Sequence, residues 1–177
     1  MTALTGSGLL ITVVQGDIVR QADCDAIVNS ANQHLRAGAG VCGAIHAAAG
    51  PALEPCSIRL APLALGAAVV TPGFALPNRL IIHTRGPRYF VDPDPPGNLA
   101  AALRNTLLAA DEHGVRRIAV PAISMGIFSY PPDEAVPILV HAARRLGGLL
   151  KCVREVRFVV REESLFRRFV EEIAKSG

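Results

Sequence analysis

The chain has 177 residues; half are hydrophobic and 19% are charged, which supplies one compact core and excludes a disordered chain. The formal net charge is only +3, and the pairs Arg116–Arg117, Arg144–Arg145 and Arg167–Arg168 are scattered, so no dedicated nucleic-acid surface is expected. Tryptophan is absent and aromatics make up 5%, so the core must be built from Val, Ile, Leu and Ala.

Strands and helices alternate along the chain. Residues 9–14, Leu-Leu-Ile-Thr-Val-Val, are rich in β-branched side chains and predict a strand, broken by Gly16-Asp17. Residues 26–28 are wholly apolar, as in a strand buried on both faces. A polar loop, 29–36, follows, and Gly38-Ala39-Gly40 opens a helix of small residues over 41–49. Pro51 suits the first turn of a further helix to about 60. Strands are predicted over 69–71 and 80–83, and four prolines make 86–97 a loop. Asn98 is the expected cap of a helix to about 113, with Gly114 as its stop. Residues 117–120 predict a strand ending at Pro121, and 124–132 a loop. A helix over 133–146, a strand over 156–160 and a helix over 162–174 complete the chain.

This order predicts a single domain, 1–177, as an α/β sandwich with a mixed, mostly parallel sheet. In such folds ligands bind beyond the C-terminal strand ends. The loops at 16–18, 29–40, 84–87 and 121–130 follow strands and should meet there.

The four cysteines, at 24, 42, 56 and 152, form no CxxC and no zinc-finger spacing, and are expected as reduced, buried thiols. No basic segment precedes an apolar stretch at the N-terminus, and no run reaches the length of a membrane span. A cytoplasmic protein without membrane partners is expected.

Gly38-x-Gly40-x-x-Gly43 matches a dinucleotide fingerprint in spacing only. Nine residues, 29–37, separate it from the preceding strand, and 61–65 contain no acidic residue. Hydride-transfer chemistry is therefore not expected. Glycines ahead of a helix still expose backbone N–H groups at a positive helix end, which suits a phosphate. Ser124-Met125-Gly126-Ile127-Phe128 is a second loop of this kind, and two such loops point to a diphosphate.

Five segments then carry a family resemblance: Gly16-Asp17-Ile18; Asp25-Ala26-Ile27-Val28-Asn29-Ser30-Ala31-Asn32; Gly38-Ala39-Gly40-Val41-Cys42-Gly43-Ala44-Ile45-His46; Ile82-His83-Thr84-Arg85-Gly86-Pro87; and Ile118 to Phe128. In order and spacing, over about 8–174, the chain resembles the macrodomain family, and within it MacroD-type ADP-ribosyl hydrolases. The resemblance implies a three-layer α/β/α fold that binds ADP-ribose, with no cofactor and no metal. By position, Asp17 would accept the adenine exocyclic amine and the Ile18 N–H would bond a ring nitrogen. Gly38, Ala39, Gly40, Val41 and Cys42 would wrap one phosphate and the distal ribose. Ser124, Met125, Gly126, Ile127 and Phe128 would hold the diphosphate through backbone donors, with the Phe128 ring against the distal ribose. Asn32 matches an Asn that contacts the distal ribose hydroxyls beside the scissile bond. Its amide donates and accepts, which suits a diol. Asn29 reads as a structural tie of its loop through backbone hydrogen bonds.

Departures from the family pattern bear on activity. MacroD-type hydrolases carry an Asp where this chain has Cys42; other active branches have a small apolar residue there, and their water is positioned by the substrate's own diphosphate. Ala37 and Ala39 stand where glycine is common, and Met125 and Ser129 replace smaller residues. A family aromatic that stacks on adenine maps to about Arg161, whose guanidinium plane can also stack on a base, or which is simply a solvated strand-end arginine. Cys42 and His46, one helical turn apart, fit a thiolate–base pair or half a metal site in spacing alone. His46 and His83 lie in apolar contexts that suit satisfied core histidines.

Two functions stay open at this stage. One is a hydrolase of O-acetyl-ADP-ribose or of ADP-ribosylated acidic side chains on proteins, with Asn32 as its catalytic residue. The other is a non-catalytic ADP-ribose reader. Asn32 and its flanking loops favour the first, and Cys42 the second.

Overall fold

In a computed structural model, residues 2–4 and 8–175 are described. They form a seven-stranded sheet from β1 (Thr2–Leu4), β2 (Leu10–Gln15), β3 (Ala26–Ser30), β4 (Ala68–Pro72), β5 (Leu80–Thr84), β6 (Arg117–Val120) and β7 (Glu155–Val160). The order is β1-β2-β7-β6-β3-β5-β4. The five inner strands are parallel, and the edge strands β1 and β4 are antiparallel to their neighbours. The helices are α1 (Gly40–Ala49), α2 (Leu53–Ser57), α3 (Pro95–Glu112), α4 (Pro132–Leu146) and α5 (Glu163–Ala174).

Alternation along each strand divides the core between the two sheet faces. Ala26, Val28, Ile118, Val120, Val156, Phe158 and Val160 turn to one face and pack with Leu103, Leu139 and Phe169 of α3, α4 and α5. Phe158 stacks on Phe169 with ring centroids 4.6 Å apart, which fixes α5 to the sheet. Ile27, Ile81, Ala119 and Val159 turn to the other face and pack with Ile45 and Ala49 of α1 and Leu53 of α2. This is the expected three-layer α/β/α sandwich with a mixed, mostly parallel sheet. All five parallel strands end at one edge, at Gln15, Ser30, Thr84, Val120 and Val160.

Local details depart from the expectations. α3 starts at Pro95, not at Asn98: Asp94, in a left-handed conformation (φ 43°), caps it by accepting from the Gly97 N–H at 3.2 Å. Proline at the first helical positions loses no hydrogen bond, so Pro95-Pro96 begins the helix instead of prolonging the loop. The helix expected from Pro51 is only Leu53–Ser57, followed by one 3-10 turn at Ile58–Leu60. Ile18–Arg20 is also a 3-10 turn, capped by Asp17. No helix among the described residues is long and apolar enough to cross a membrane.

Candidate functional site

A cavity of about 160 Å³ opens at the C-terminal edge of the sheet, between the segment leading into α1 and the loop after β6. Asn32, Gly38, Ala39, Gly40, Val41 and Cys42 line one wall. Ser124, Gly126, Ile127 and Phe128 line the other. Ser30, the last residue of β3, and Ala122, two residues beyond β6, complete the lining; sequence reasoning did not single them out, because they differ from ordinary small residues only in position.

Close backbone packing builds the first wall. A Cβ at Gly43 would collide with the Gly38 carbonyl oxygen, so only glycine lets this loop fold back on the first turn of α1. The loop is anchored from α2, where Glu54 Oε2 accepts the Ala37 N–H at 2.7 Å and Ser57 Oγ donates to Leu35 O at 2.7 Å. Ala39, the N-cap of α1, offers no side-chain acceptor. The first N–H groups of the helix are therefore left to the cavity at its positive end.

The second wall is held against Gly86, where a Cβ would collide with Ser124 Oγ. Tyr89 N–H donates to Phe128 O at 3.0 Å. Ser124 adopts φ 65°, and its buried hydroxyl has no hydrogen-bond partner among the described residues. The N–H groups of Gly126, Ile127 and Phe128 likewise meet no acceptor among them. Met125 does not join this set: its N–H donates to Ala122 O at 3.2 Å and its side chain packs on the main core. The tight turn after Pro121 consumes that donor.

Asn32 meets the cavity with less capacity than its amide suggests. Its Oδ1 accepts from the His34 and Arg36 N–H groups at 3.1 and 3.3 Å, and its Nδ2 donates to Arg36 O at 2.8 Å. Both acceptor lone pairs are used, and one N–H remains for a ligand. Cys42, 6% exposed, donates its thiol to Arg36 O at 3.4 Å. Burial pushes this thiol above its ordinary pKa, although the Asn29 amide and the Gly38 backbone oppose the shift. The site therefore disfavours the thiolate. Among the described residues no group of three or more His, Cys, Asp or Glu stands placed to hold a metal ion.

Beneath Cys42 lies a buried polar row. Asn29 is fully buried; its Nδ2 lies 3.0 Å from His83 Nδ1 and 3.7 Å from Cys42 Sγ. Asn29 thus makes its contacts through its side-chain Nδ2 instead of the expected backbone tie, and its buried Oδ1 has no hydrogen-bond partner among the described residues. Its backbone is committed to the sheet, and its side chain turns toward α1. His83 Nε2 lies 2.9 Å from Thr71 Oγ1. His83 is a satisfied core histidine, whereas His46 is buried with Nε2 unpartnered.

Asp17, Ile18 and Arg161 lie outside this cavity, at the ends of the neighbouring strands β2 and β7. Asp17 Oδ1 accepts the Val19 N–H at 3.2 Å, and Oδ2 accepts from an Arg161 terminal nitrogen at 3.0 Å. The two residues matched to the adenine end are therefore each other's partner.

The Macro domain family profile matches residues 28–139. The chain is 42% identical over 163 residues to a Macro domain-containing protein of Ralstonia nicotianae, covering 92% of this chain and 95% of that one. It is 38% identical over 172 residues to an O-acetyl-ADP-ribose deacetylase of Salmonella newport, covering 94% and 96%. Among solved structures, an Oceanobacillus iheyensis macrodomain with ADP superposes with a TM-score of 0.91 at 32% identity, covering 98% and 94%. A Trypanosoma brucei macrodomain in complex with ADP-ribose gives 0.84 at 30% identity, covering 91% of this chain and 68% of that one.

Proposed function

Because the chain belongs to the Macro domain family, we propose that it binds ADP-ribose across the C-terminal sheet edge and hydrolyses ADP-ribosyl esters. The substrates are O-acetyl-ADP-ribose and mono-ADP-ribosylated acidic side chains. One observation carries the reading: both glycine-containing loops and Asn32 converge on one cavity. Within it the Gly126, Ile127 and Phe128 N–H groups are unpaired among the described residues.

In this reading the diphosphate lies between the two loops and accepts from those N–H groups and from the start of α1. Adenine lies toward Asp17 and Ile18. The Phe128 ring packs on the distal ribose, and the remaining Asn32 N–H donates to a ribose hydroxyl. Water adds to the ester carbonyl, the ribose oxygen leaves, and the products are ADP-ribose and a carboxylate. Among the described residues no carboxylate lines the cavity, so the substrate's diphosphate positions that water, whose proton passes to the departing ribose oxygen. The protein's share is positioning and electrostatic stabilisation.

Cys42 favours a second reading, a non-catalytic reader, because its buried thiol offers neither a strong acceptor nor a base. The deciding experiment is a time course on O-acetyl-ADP-ribose and on a protein carrying a single ADP-ribose, with free ADP-ribose measured. Multiple turnover supports the hydrolase, and stoichiometric binding without release supports the reader.

A further inference from the structure

The Asp17–Arg161 pair changes what the base end can recognise. Asp17 alone offers only acceptors, which selects a 6-amino purine and rejects a 6-oxo purine by setting acceptor against acceptor. Here an Arg161 guanidinium nitrogen sits 3.0 Å from Asp17 Oδ2. The guanidinium carries five N–H groups in a fixed fork. The other guanidinium nitrogens make no hydrogen bond among the described residues, and the side chain is 68% exposed. The Arg161 backbone is held where Gln15 Nε2 donates to its carbonyl oxygen at 2.9 Å, and the Asp17 carboxylate is oriented by accepting the Val19 N–H at Oδ1. One point on the cleft edge therefore presents a carboxylate acceptor beside unspent cationic donors.

These two groups match both kinds of purine edge. A 6-amino purine donates its amine to Asp17. A 6-oxo purine, whose protonated N1 cannot accept from the Ile18 N–H, turns on the same edge to donate its N1–H to Asp17 and to accept at O6 from Arg161. We propose that Arg161 is a specificity-determining residue that makes the base end tolerant of 6-oxo purines, so that inosine diphosphate ribose binds alongside ADP-ribose. The proposal rests on the reading that ADP-ribose binds with its base at Asp17.

The test is calorimetry with ADP-ribose and inosine diphosphate ribose, on the protein and on Arg161→Ala. The two affinities should lie within about tenfold of each other in the protein, and Arg161→Ala should widen that ratio by at least about tenfold, the scale of one charged hydrogen bond. The proposal is overturned if the protein binds ADP-ribose and disfavours the inosine form by roughly a hundredfold or more. It is also overturned if Arg161→Ala weakens both ligands equally, which makes Arg161 a stacking surface alone. If neither ligand binds, the ADP-ribose reading itself fails and takes the proposal with it.

Discussion

Asn29 and His83 face each other directly across the β3–β5 register, with Asn29 Nδ2 3.0 Å from His83 Nδ1. The amide donates to Nδ1, so the ring carries its proton on Nε2, which faces Thr71 Oγ1 at 2.9 Å; Thr71 in turn donates to Pro72 O. Both His83 ring nitrogens are satisfied only in the neutral imidazole, and Asn29 Oδ1 is left without a hydrogen-bond partner among the described residues.

Burial depresses the His83 pKa to about 3, with His46 nearby adding to the shift. The folded pKa lies below the unfolded one, so the unfolded chain takes up a proton that the fold refuses. Stability from this group is whole above about pH 6.5 and falls as the pH drops toward 3, by up to roughly 1.4 kcal/mol per pH unit. Urea unfolding midpoints measured from pH 7 to pH 4 should show this decline. His83→Gln, less stable at pH 7, should show a shallower slope over the same window. Parallel slopes for the two proteins would show that carboxylates alone govern the acid side.

Gly126 sits at the crest of the second wall, where an added Cβ meets nothing within 4 Å. Gly126→Glu should therefore fold normally while setting a bulky anion against the diphosphate. ADP-ribose affinity should fall by at least about a hundredfold, some 2.7 kcal/mol, with an unchanged melting temperature. Normal binding by a folded Gly126→Glu protein would remove this loop from the phosphate site.

Asp17→Ala removes the acceptor for the adenine amine. A lost hydrogen bond to a charged group costs about 1.5–3 kcal/mol, so calorimetry should show ADP-ribose binding weakened by about tenfold to a hundredfold. Unchanged affinity would place the base elsewhere on the cleft edge. The same change leaves Arg161 without its ionic partner, but the arginine end of that pair is largely exposed and the pair contributes little to folding.

The strands were legible because short β-branched runs have few alternatives, and the walls of the cavity because glycines and Asn32 sit at fixed offsets after them. What local pattern could not give is contact across the sheet. Asp17 and Arg161 are 144 positions apart and meet because β2 pairs with β7. Asn29 and His83 meet because β3 pairs with β5. The start of α3 was missed for a local reason: the left-handed Asp94 turns a proline-rich loop into a cap. β1 was missed because three residues, Thr2–Leu4, carry no periodicity. Met125 was placed in the phosphate loop by its position in the motif, while its N–H is spent inside the turn.

Asn32 should matter more to turnover than Cys42. In the proposed pose the remaining Asn32 N–H donates to the ribose hydroxyl beside the bond to be cleaved, and an alkyl group at Gly38 would lie 3.5 Å from Asn32 Nδ2 and 3.7 Å from Cys42 Sγ, so both side chains border the same point. Asn32→Ala should lower single-turnover release of ADP-ribose by about a hundredfold or more, the scale of a small misplacement of reacting groups. Because Asn32 also ties the 32–36 turn, ADP-ribose affinity must be measured beside the rate. Loss of rate with binding kept assigns the amide to the chemistry, whereas loss of both assigns it to the loop. Cys42→Ala should keep most of the activity, since the thiol is protonated and donates to Arg36 O. Cys42→Asp places a carboxylate where the Asn29 amide can donate to it, and should raise the rate. An inactive Cys42→Ala protein beside an active Asn32→Ala protein would reverse the assignment and make the thiol the reacting group.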